Sequence, residues 1–215
     1  MIAAIIPDRG DRPRLLENCK RMLPKDIMTL FITDKPSSEL PDITRRYRTG
    51  YDQCKDVELI FFIESDDWYA PEYFSKMYQA WVENGKPDLF GIDYTYYYHL
   101  KLRKYFRYGH AGRASMMNSC IRPGLNIKWP PDHYRFVDMY LWDKLKGVTW
   151  TPEEILSIGI KGHGEGMTGG TGHDNKLHRY TEEDNGFLES HLDKESFEFY
   201  DKFNPSFQVT PAKVR

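Results

Sequence analysis

The feature that most constrains the fold is a continuous apolar run, residues 59–63 (LIFFI), that leads directly into an acidic segment, residues 64–67 (ESDD). A strand with one face in solvent alternates apolar and polar residues, whereas an uninterrupted apolar run is typical of a strand covered on both faces. We therefore expect this strand at the centre of a sheet, with the acidic residues directly after its carboxyl end.

Strand and helix patterns alternate through the first half of the chain. Apolar, β-branched runs predict strands, and apolar residues at the helical period predict amphipathic helices. The predicted strands are residues 2–6, 27–33, 59–63, 89–98 and 155–160, and the predicted helices are residues 14–23, 42–55, 71–84 and 136–145. This alternation predicts a single-domain α/β fold with a mixed, mainly parallel sheet and helices on both faces. In such sheets, ligands bind beyond the carboxyl ends of the strands.

The length and charge of the chain exclude several classes of protein. With 215 residues, the chain is long enough for one α/β domain. The 30 Lys and Arg residues and 32 Asp and Glu residues give a net charge of -2, so no overall positive field attracts a polyanion. We therefore expect no nucleic-acid partner.

The cysteines and the apolar segments bear on where the protein resides. Cys19, Cys54 and Cys120 are odd in number and far apart, which favours a reducing compartment over a disulfide framework or a structural zinc site. No segment approaches the ~20 apolar residues needed to span a membrane, and Pro7 interrupts the apolar start before it could form a signal-peptide core. We expect a cytoplasmic protein without a transmembrane segment.

The acidic segment places Glu64, Asp66 and Asp67 within four residues of one another. Like-charge repulsion makes such a cluster costly unless a cation is bound. Hard oxygen ligands suit Mn²⁺ or Mg²⁺, and an ion with open positions can bind a diphosphate. The alternative is that Asp66 or Asp67 caps the helix that Pro71 opens. The position at the end of a buried strand favours the metal site.

Three segments, in this order and spacing, resemble the nucleotide-binding half of the GT-A-type glycosyltransferases, in particular their large and mostly inverting family. The segments are IIPDRGDRPRLLENCKRML (residues 5–23), FITDKPSS (residues 31–38) and RRYRTGYDQCKDVELIFFIESDDWYAPEYF (residues 45–74). More narrowly, the chain resembles the glycosyltransferase domain of a large chlorella-virus protein. The resemblance implies a nucleotide-sugar-binding half over residues 1–92, an acceptor-binding half over residues 93–215 and, for the viral match, a place in the host cytoplasm.

The resemblance assigns roles within the acidic segment. The family's motif is Asp, any residue, Asp, and here Glu64 and Asp66 stand at its first and last positions, with the donor-binding candidate Ser65 between them. Asp66 is expected to bind the metal directly, and Glu64 or Asp67 to contact the metal or the ribose. Because Glu64 departs from the family's Asp, the division of work between Glu64 and Asp67 stays open. His163, after a predicted strand, is expected to complete the metal shell.

Polar residues after the first two predicted strands are candidate nucleotide contacts. Pro7, Asp8 and Arg9 follow the first strand as the family's nucleotide-binding turn does. Asp34 ends the second strand, where its carboxylate can accept a hydrogen bond from uracil or ribose, with a plain Asx turn as the alternative. Arg45 lies in the helix before the acidic strand and is expected to contact the diphosphate. The alternative, which is more common for an arginine-rich run, is a basic helix face exposed to solvent.

An inverting transfer needs a general base that deprotonates the acceptor hydroxyl. In the resembling family this base is an acidic residue at the start of a helix, well after the metal motif. The segment HYRFVDMYLWDKL (residues 133–145) has that form, which makes Asp138 the expected base, with Asp143 and Asp93 in reserve. The alternative is that Asp138 merely begins an amphipathic helix.

Six glycines within residues 162–172 predict an irregular, mobile loop. No Lys followed by Ser or Thr completes a phosphate loop, so an NTPase is excluded. Closure of this loop over a donor would exclude water. His173, just after the loop, is another histidine late in the chain. An isolated surface histidine is at least as good an explanation for it as a metal ligand.

These patterns predict a metal-dependent glycosyltransferase that uses Mn²⁺ or Mg²⁺. It is expected to transfer a sugar from a nucleotide sugar, specifically a UDP-sugar, to a glycan or glycoprotein acceptor with inversion. The acceptor is expected to lie against residues 109–120, the tyrosines of residues 94–98 and Trp129.

Two other functions stay open. A nucleotidyltransferase would need a basic, glycine-rich loop after the first strand, which the sequence lacks. The second alternative is a non-catalytic nucleotide-sugar-binding module of a larger chain. The ending SFQVTPAKVR is consistent with further domains in such a chain.

Overall fold

The structure, a computed structural model, describes residues 1–33, 40–166, 170 and 174–203. The strands are β1 (Ile2–Pro7), β2 (Met28–Ile32), β3 (Leu59–Phe62), β4 (Trp68–Tyr69), β5 (Leu89–Ile92), β6 (Tyr94–His99), β7 (Lys104–Gly109), β8 (Ser119–Ile121), β9 (Gly147–Trp150), β10 (Ser157–Lys161) and β11 (Glu182–Glu183). The helices are α1 (Pro13–Met22), α2 (Ile43–Gln53), α3 (Tyr73–Glu83), α4 (Val137–Lys144), α5 (Phe187–His191) and α6 (Lys194–Asp201). Among the described residues, no helix has the length and apolar character needed to cross a bilayer.

The strands form two sheets. The larger sheet has the order β2-β1-β3-β8-β5-β9, in which β1 pairs in parallel with β2 and β3, while β8 runs antiparallel between β3 and β5. The smaller sheet has the order β11-β7-β6-β10-β4, and within it β6 and β10 are parallel. The predicted single-domain, mixed α/β fold is confirmed, whereas the smaller sheet is an addition that the sequence patterns did not predict.

Strand β3 lies inside the core, as its apolar run predicts. All four residues of β3 are buried, and successive side chains of a strand point to opposite faces. On one face, the ring of Phe61 packs 5.0 Å from that of Phe74 in α3. On the other face, Phe62 packs 5.1 Å from Tyr47 in α2. Because both faces are covered by helices, the carboxyl end of β3 is fixed from two sides.

Most predicted elements coincide with observed ones to within a few residues. The first two strands and helices, the acidic strand, the helix before Gly85, the helix at residues 136–145 and the strand at residues 155–160 are all confirmed. Gly85 follows α3 with a φ of 81°, the left-handed conformation in which glycine ends helices.

The prediction of one strand over residues 89–98 is wrong. These residues form β5 and β6, which belong to different sheets and are separated by Asp93. The N–H of Asp93 still donates to the carbonyl of Trp150 in the larger sheet, and β6 then pairs with strands of the smaller one. The sequence conceals the change of sheet because buried residues continue on both sides of Asp93.

Helix α2 approaches β1 most closely at Gly50. A Cβ at this position would lie within 3.2 Å of three side-chain carbons of Ile5. Ile5 is fully buried, so its side chain has no space into which it can move. The contact between α2 and β1 therefore depends on glycine at position 50.

We expect Gly50→Ala to lower the free energy of unfolding by about 1–2 kcal/mol, because overpacking against Ile5 outweighs the gain in helix propensity. Urea unfolding followed by circular dichroism measures this change. Thr49→Ala, at the neighbouring half-buried position, serves as the control and should be neutral or stabilising. A Gly50→Ala protein more stable than the wild type would contradict the close approach.

Candidate functional site

The acidic segment lies between β3 and β4, and its carboxylates converge. Glu64, Asp66 and Asp67 each offer one oxygen, and these oxygens all lie within 4.8 Å of one another. Asp66 and Asp67 are buried, as is Ser65 between the two acidic motif positions, and Glu64 is half-buried. Burial of several like charges requires counter-charges close by.

Asp66 contacts two basic side chains. Its Oδ1 lies 2.9 Å from Nη1 of Arg12, in an ion pair that lacks hydrogen-bond alignment. Its Oδ2 lies 3.2 Å from Nε2 of His163. Burial alone would raise the pKa of Asp66, but the charge of Arg12, followed by that of Lys161, holds this pKa well below its usual range. Asp66 is therefore an ionised carboxylate.

Asp67 is bound to strand β10. Its Oδ1 accepts a hydrogen bond from the N–H of Ile160 at 2.8 Å and lies 3.2 Å from Nζ of Lys161, whose side chain is only 10% exposed. Burial lowers the pKa of Lys161, but the carboxylates of Asp67 and Asp66 raise it above its usual value. Burial raises the pKa of Asp67 well above its usual value, and the charge of Lys161 opposes this rise. Asp67 faces the buried ammonium of Lys161, and its hydrogen bond from Ile160 joins the loop after β3 to β10. Glu64 is left as the more exposed neighbour of Asp66.

Glu64 lies within electrostatic range of the predicted base. Burial raises the pKa of Glu64, Lys161 opposes this rise, and the charges of Asp66 and Asp138 add to it. Asp138 lies in the first turn of α4, and its charge acts on the Glu64 carboxylate.

Asp138 forms an ion pair with Arg113. Nη1 of Arg113 lies 2.7 Å from Oδ2 of Asp138, and the two side chains are 25% and 19% exposed. Burial raises the pKa of Asp138, and the charge of Arg113 opposes the rise. The carboxylate is oriented by the guanidinium and retains some of the basicity that burial confers.

The two reserve candidates for the base are placed differently. Asp143 is 68% exposed and pairs with Lys144 on the outer face of α4. Asp93 accepts a hydrogen bond of 2.6 Å from the hydroxyl of Thr151. Asp143 lies in solvent, whereas Asp138 and Asp93 are each bound by one neighbouring side chain. Asp138 therefore stays the predicted base, with Asp93 in reserve.

The acidic cluster retains acceptor capacity that suits a cation. Among the described residues, Oδ2 of Asp67 is buried and accepts no hydrogen bond, and Oδ1 of Asp66 accepts none either but faces Arg12 at 2.9 Å. A buried carboxylate oxygen without a hydrogen bond is costly, and a divalent cation would offset that cost. Oxygen ligands are those that Mg²⁺ and Mn²⁺ prefer. The residues present therefore fit a hard divalent cation held by Glu64 and Asp66, with Asp67 close by.

His163 is fully buried, and both of its ring nitrogens have partners. Nε2 faces Asp66, whereas Nδ1 accepts a hydrogen bond of 3.1 Å from the N–H of Glu165. These partners assign the ring proton of the neutral histidine to Nε2. In this arrangement His163 donates to Asp66. Binding a cation through Nε2 requires the proton to move to Nδ1 and the N–H of Glu165 to turn away.

The predicted nucleotide-binding turn leads from β1 into α1. Pro7 ends β1, and the buried carboxylate of Asp8 accepts a hydrogen bond of 2.8 Å from the N–H of Gly10. Arg9 pairs with Asp42 at 2.6 Å. The side chains of Asp8 and Arg9 thus hold the turn in place. The turn leads directly to Arg12, the ion-pair partner of Asp66.

Asp42 also gathers the arginines of α2. Arg45 lies 3.1 Å from this carboxylate, and Arg46 lies 3.0 Å from it. Arg46 is 1% exposed and donates to the carbonyls of Asp8 and Ile32, so it joins the ends of β1 and β2. Burial raises the pKa of Asp42, but the hydrogen bonds from these arginines lower it below its usual value. Contact of Arg45 with a diphosphate therefore requires it to leave Asp42.

Asp34 and His173 lie outside the described residues. The described part of the glycine-rich segment, residues 162–166 and 170, is neither helix nor strand beyond β10. Its glycines have φ between 69° and 78°, the left-handed conformation that favours glycine: Gly162, Gly164, Gly166 and Gly170. The backbone explains why this segment is rich in glycine.

The expected acceptor surface is only partly present. Tyr94, Tyr97 and Tyr98 are buried and Tyr96 is half-buried, so Tyr96 is the most exposed of these tyrosines, and their contact with an acceptor stays a prediction. Trp129 packs against the apolar cluster beneath α2. From residues 109–120, Arg113 reaches the site through Asp138, whereas residues 114–120 are buried.

Three basic residues of the site were missed from sequence: Arg12, Lys161 and Arg113. Arg12 directly precedes the first residue of α1. A cation is unfavourable at a helix N-terminus because of the helix dipole, so an acidic partner could have been inferred there. Lys161 ends a strand that is otherwise apolar or small, which was a weaker signal. Arg113 lies in a polar loop and gave none.

Comparison with known proteins shows the fold. No protein-family model and no curated protein match the sequence. Residues 1–349 of S. aureus TarS, solved in complex with UDP-GlcNAc, match with a TM-score of 0.56 at 13% identity, over 78% of this chain and 60% of the TarS chain. The A197 protein from STIV matches over 70% of this chain and 81% of its own, at 18% identity and a TM-score of 0.43, which is too low to support an argument. The likeness to TarS confirms the GT-A-like α/β fold. The chain spans less than two thirds of the length of the TarS chain, 60%.

We expect Asp67→Ala to lower the free energy of unfolding by about 3 kcal/mol or more, because the substitution removes the nearest carboxylate from the buried ammonium of Lys161. The double variant Asp67→Ala with Lys161→Met should recover part of this loss, since the charge is removed together with its partner. Urea unfolding of both variants measures the difference. An Asp67→Ala protein as stable as the wild type, or a double variant no more stable than the single one, would contradict the role of this ion pair.

Proposed function

We propose that the chain is a glycosyltransferase that uses a nucleotide sugar and a divalent metal, Mn²⁺ or Mg²⁺, and transfers the sugar with inversion. The observation that carries the proposal is the convergence of Glu64, Asp66 and Asp67 at the carboxyl end of β3, with buried oxygens that accept no hydrogen bond. Ligands of α/β sheets bind at this edge. The fold shared with a protein solved with UDP-GlcNAc supports the same conclusion.

A UDP-sugar is the proposed donor, and a hydroxyl of a glycan or glycoprotein is the proposed acceptor. The turn after β1 leads to the acidic cluster through Arg12, so a nucleotide bound at this turn would place its diphosphate beside Asp66. The proposed donor contacts are Pro7, Asp8, Arg9, Asp34, Arg45, Ser65 and Asp67. The narrower resemblance to a viral domain, with its place in a host cytoplasm, stays a prediction.

Asp66 and Glu64 are the proposed metal ligands, with His163 as a further ligand once its ring proton lies on Nδ1. A bound divalent ion neutralises the diphosphate and stabilises the charge that develops on it as the sugar leaves. Asp67 supports this arrangement, because its hydrogen bond from Ile160 and its ion pair with Lys161 fix the loop that carries Asp66.

Asp138 is the proposed general base. The oxygen of the acceptor hydroxyl attacks C1 of the sugar while Asp138 takes the hydroxyl proton. The bond between C1 and the diphosphate oxygen breaks, and its electron pair remains on the diphosphate. The ion pair with Arg113 orients the Asp138 carboxylate for this proton transfer.

We expect Asp66→Asn, which is nearly isosteric, to lower kcat by about 100-fold or more, because it removes a charged ligand from the site. Product mass, measured with a panel of UDP-sugars across a Mn²⁺ titration, reports the transfer. Asp56→Asn, at an exposed position before β3, is the control and should keep full activity. Full activity of the Asp66→Asn protein, or of the wild type in excess chelator, would contradict the metal's role.

We expect Asp138→Asn to keep the wild-type affinity for UDP and to lower kcat by about 100- to 10,000-fold, the usual range for loss of a general base. Calorimetry measures the affinity, and product mass measures the rate. Asp143→Asn, on the exposed face of the same helix, is the matched control. A normal rate in the Asp138→Asn protein, with loss of activity in the Asp93→Asn protein, would transfer the role of base to Asp93.

Donor binding without turnover by the wild type would favour a non-catalytic binding module.

A further inference from the structure

We propose that Arg12 exchanges partners when a donor binds: it compensates Asp66 in the absence of donor and contacts the donor's diphosphate once a metal ion is bound at Asp66. The inference rests on the proposed function and extends it to a residue outside the acidic motif. It makes Arg12 a donor-binding residue.

The first argument is the position of Arg12 within the site. Its guanidinium lies 2.9 Å from Asp66, with the two side chains 23% and 5% exposed. An arginine guanidinium does not lose its proton in a protein, so Arg12 stays charged. Arg12 is therefore a permanent cation directly at the carboxylate that is proposed to bind the metal.

The second argument is competition for Asp66. Arg12 lies at Oδ1 of this carboxylate, and His163 lies at Oδ2. A divalent cation at Asp66 would repel the guanidinium at such short range, so the two cations cannot share the carboxylate in the present arrangement. Binding of the ion therefore requires Arg12 to move.

The third argument concerns the partner that Arg12 would then take. Arg12 directly precedes α1, a helix of ten residues whose N-terminal N–H groups favour anions and disfavour cations. Once Arg12 leaves Asp66, the diphosphate held by the metal is the nearest new negative charge. A guanidinium binds phosphate oxygens in a bidentate manner, and the helix N-terminus adds to the attraction.

The glycine-rich segment covers Arg12 in the present arrangement. A Cβ at Gly166 would lie 2.5 Å from Nε of Arg12, so this segment packs directly on the guanidinium. Glu165 fixes the segment to α1 through an ion pair of 2.5 Å with Arg14. Glycine at position 166 allows this close contact, because any side chain there would meet the guanidinium. The exchange of partners therefore requires residues 163–166 to move with Arg12.

The experiment compares Arg12→Ala and Arg12→Lys with the wild type by calorimetry, using Mn²⁺ alone, UDP with Mn²⁺, and uridine as probes. For Arg12→Ala we expect UDP with Mn²⁺ to bind about 10- to 100-fold more weakly, the usual effect of losing a charge-assisted hydrogen bond. Mn²⁺ alone should bind more tightly, because its competitor is gone. Uridine, which has no phosphate, should bind as it does to the wild type.

Arg12→Lys keeps the charge but not the bidentate geometry, so we expect wild-type affinity for Mn²⁺ alone and an intermediate loss for UDP. Lys20→Ala removes an exposed charge from the same helix and controls for general electrostatic effects. Wild-type affinity of Arg12→Ala for UDP with Mn²⁺ would overturn the exchange, and so would an equal loss for uridine. Failure of the wild type itself to bind UDP would instead overturn the proposed function.

Discussion

Three carboxylates within 4.8 Å of one another, two of them buried and one half-buried, impose the main physical constraint on this structure. Their repulsion is compensated by the charges of Arg12 before α1 and Lys161 at the end of β10, and His163 just beyond β10 donates a hydrogen bond to Asp66. Each of these partners comes from a segment far from β3 in the sequence, so the cluster forms only when the chain is folded. Buried ion pairs seldom stabilise a protein more than apolar residues of the same size would. An arrangement this costly is better explained by a function at the site than by stability.

The proposed site has two parts, each built around one carboxylate and its basic partner. On one side, Asp66 is ionised and faces Arg12, which suits a metal-bound diphosphate. On the other side, Asp138 is oriented by Arg113, while burial raises its pKa and so its capacity to accept a proton. A displacement at C1 needs a stabilised leaving group and a base on opposite sides of the sugar. In the proposed function, Asp66 in the first half of the chain and Asp138 in the second half serve these two roles.

The sequence predicted those parts of the structure that local patterns determine. The apolar run before Glu64 placed β3 in the core, and the helical periods placed α1 to α4, because burial on one or two faces leaves a direct periodicity in the sequence. The change of sheet at Asp93 was missed, since buried residues continue through it without a turn signal. The acidic segment and Asp138 were predicted as site residues from the sequence, but their basic partners were not, because an ion pair between distant segments leaves no local pattern. Arg12 is the exception, as a cation at a helix N-terminus already indicates an acidic neighbour.

The central claim is that the acidic cluster after β3 binds a divalent cation together with a nucleotide diphosphate. The most direct measurement is anomalous diffraction from crystals soaked with Mn²⁺ and UDP. The account predicts a manganese peak in contact with Asp66, with the diphosphate bound to the ion and Arg12 displaced from its present partner. Crystals that contain UDP elsewhere, or that show Arg12 still paired with Asp66 and no manganese between the carboxylates, would contradict it.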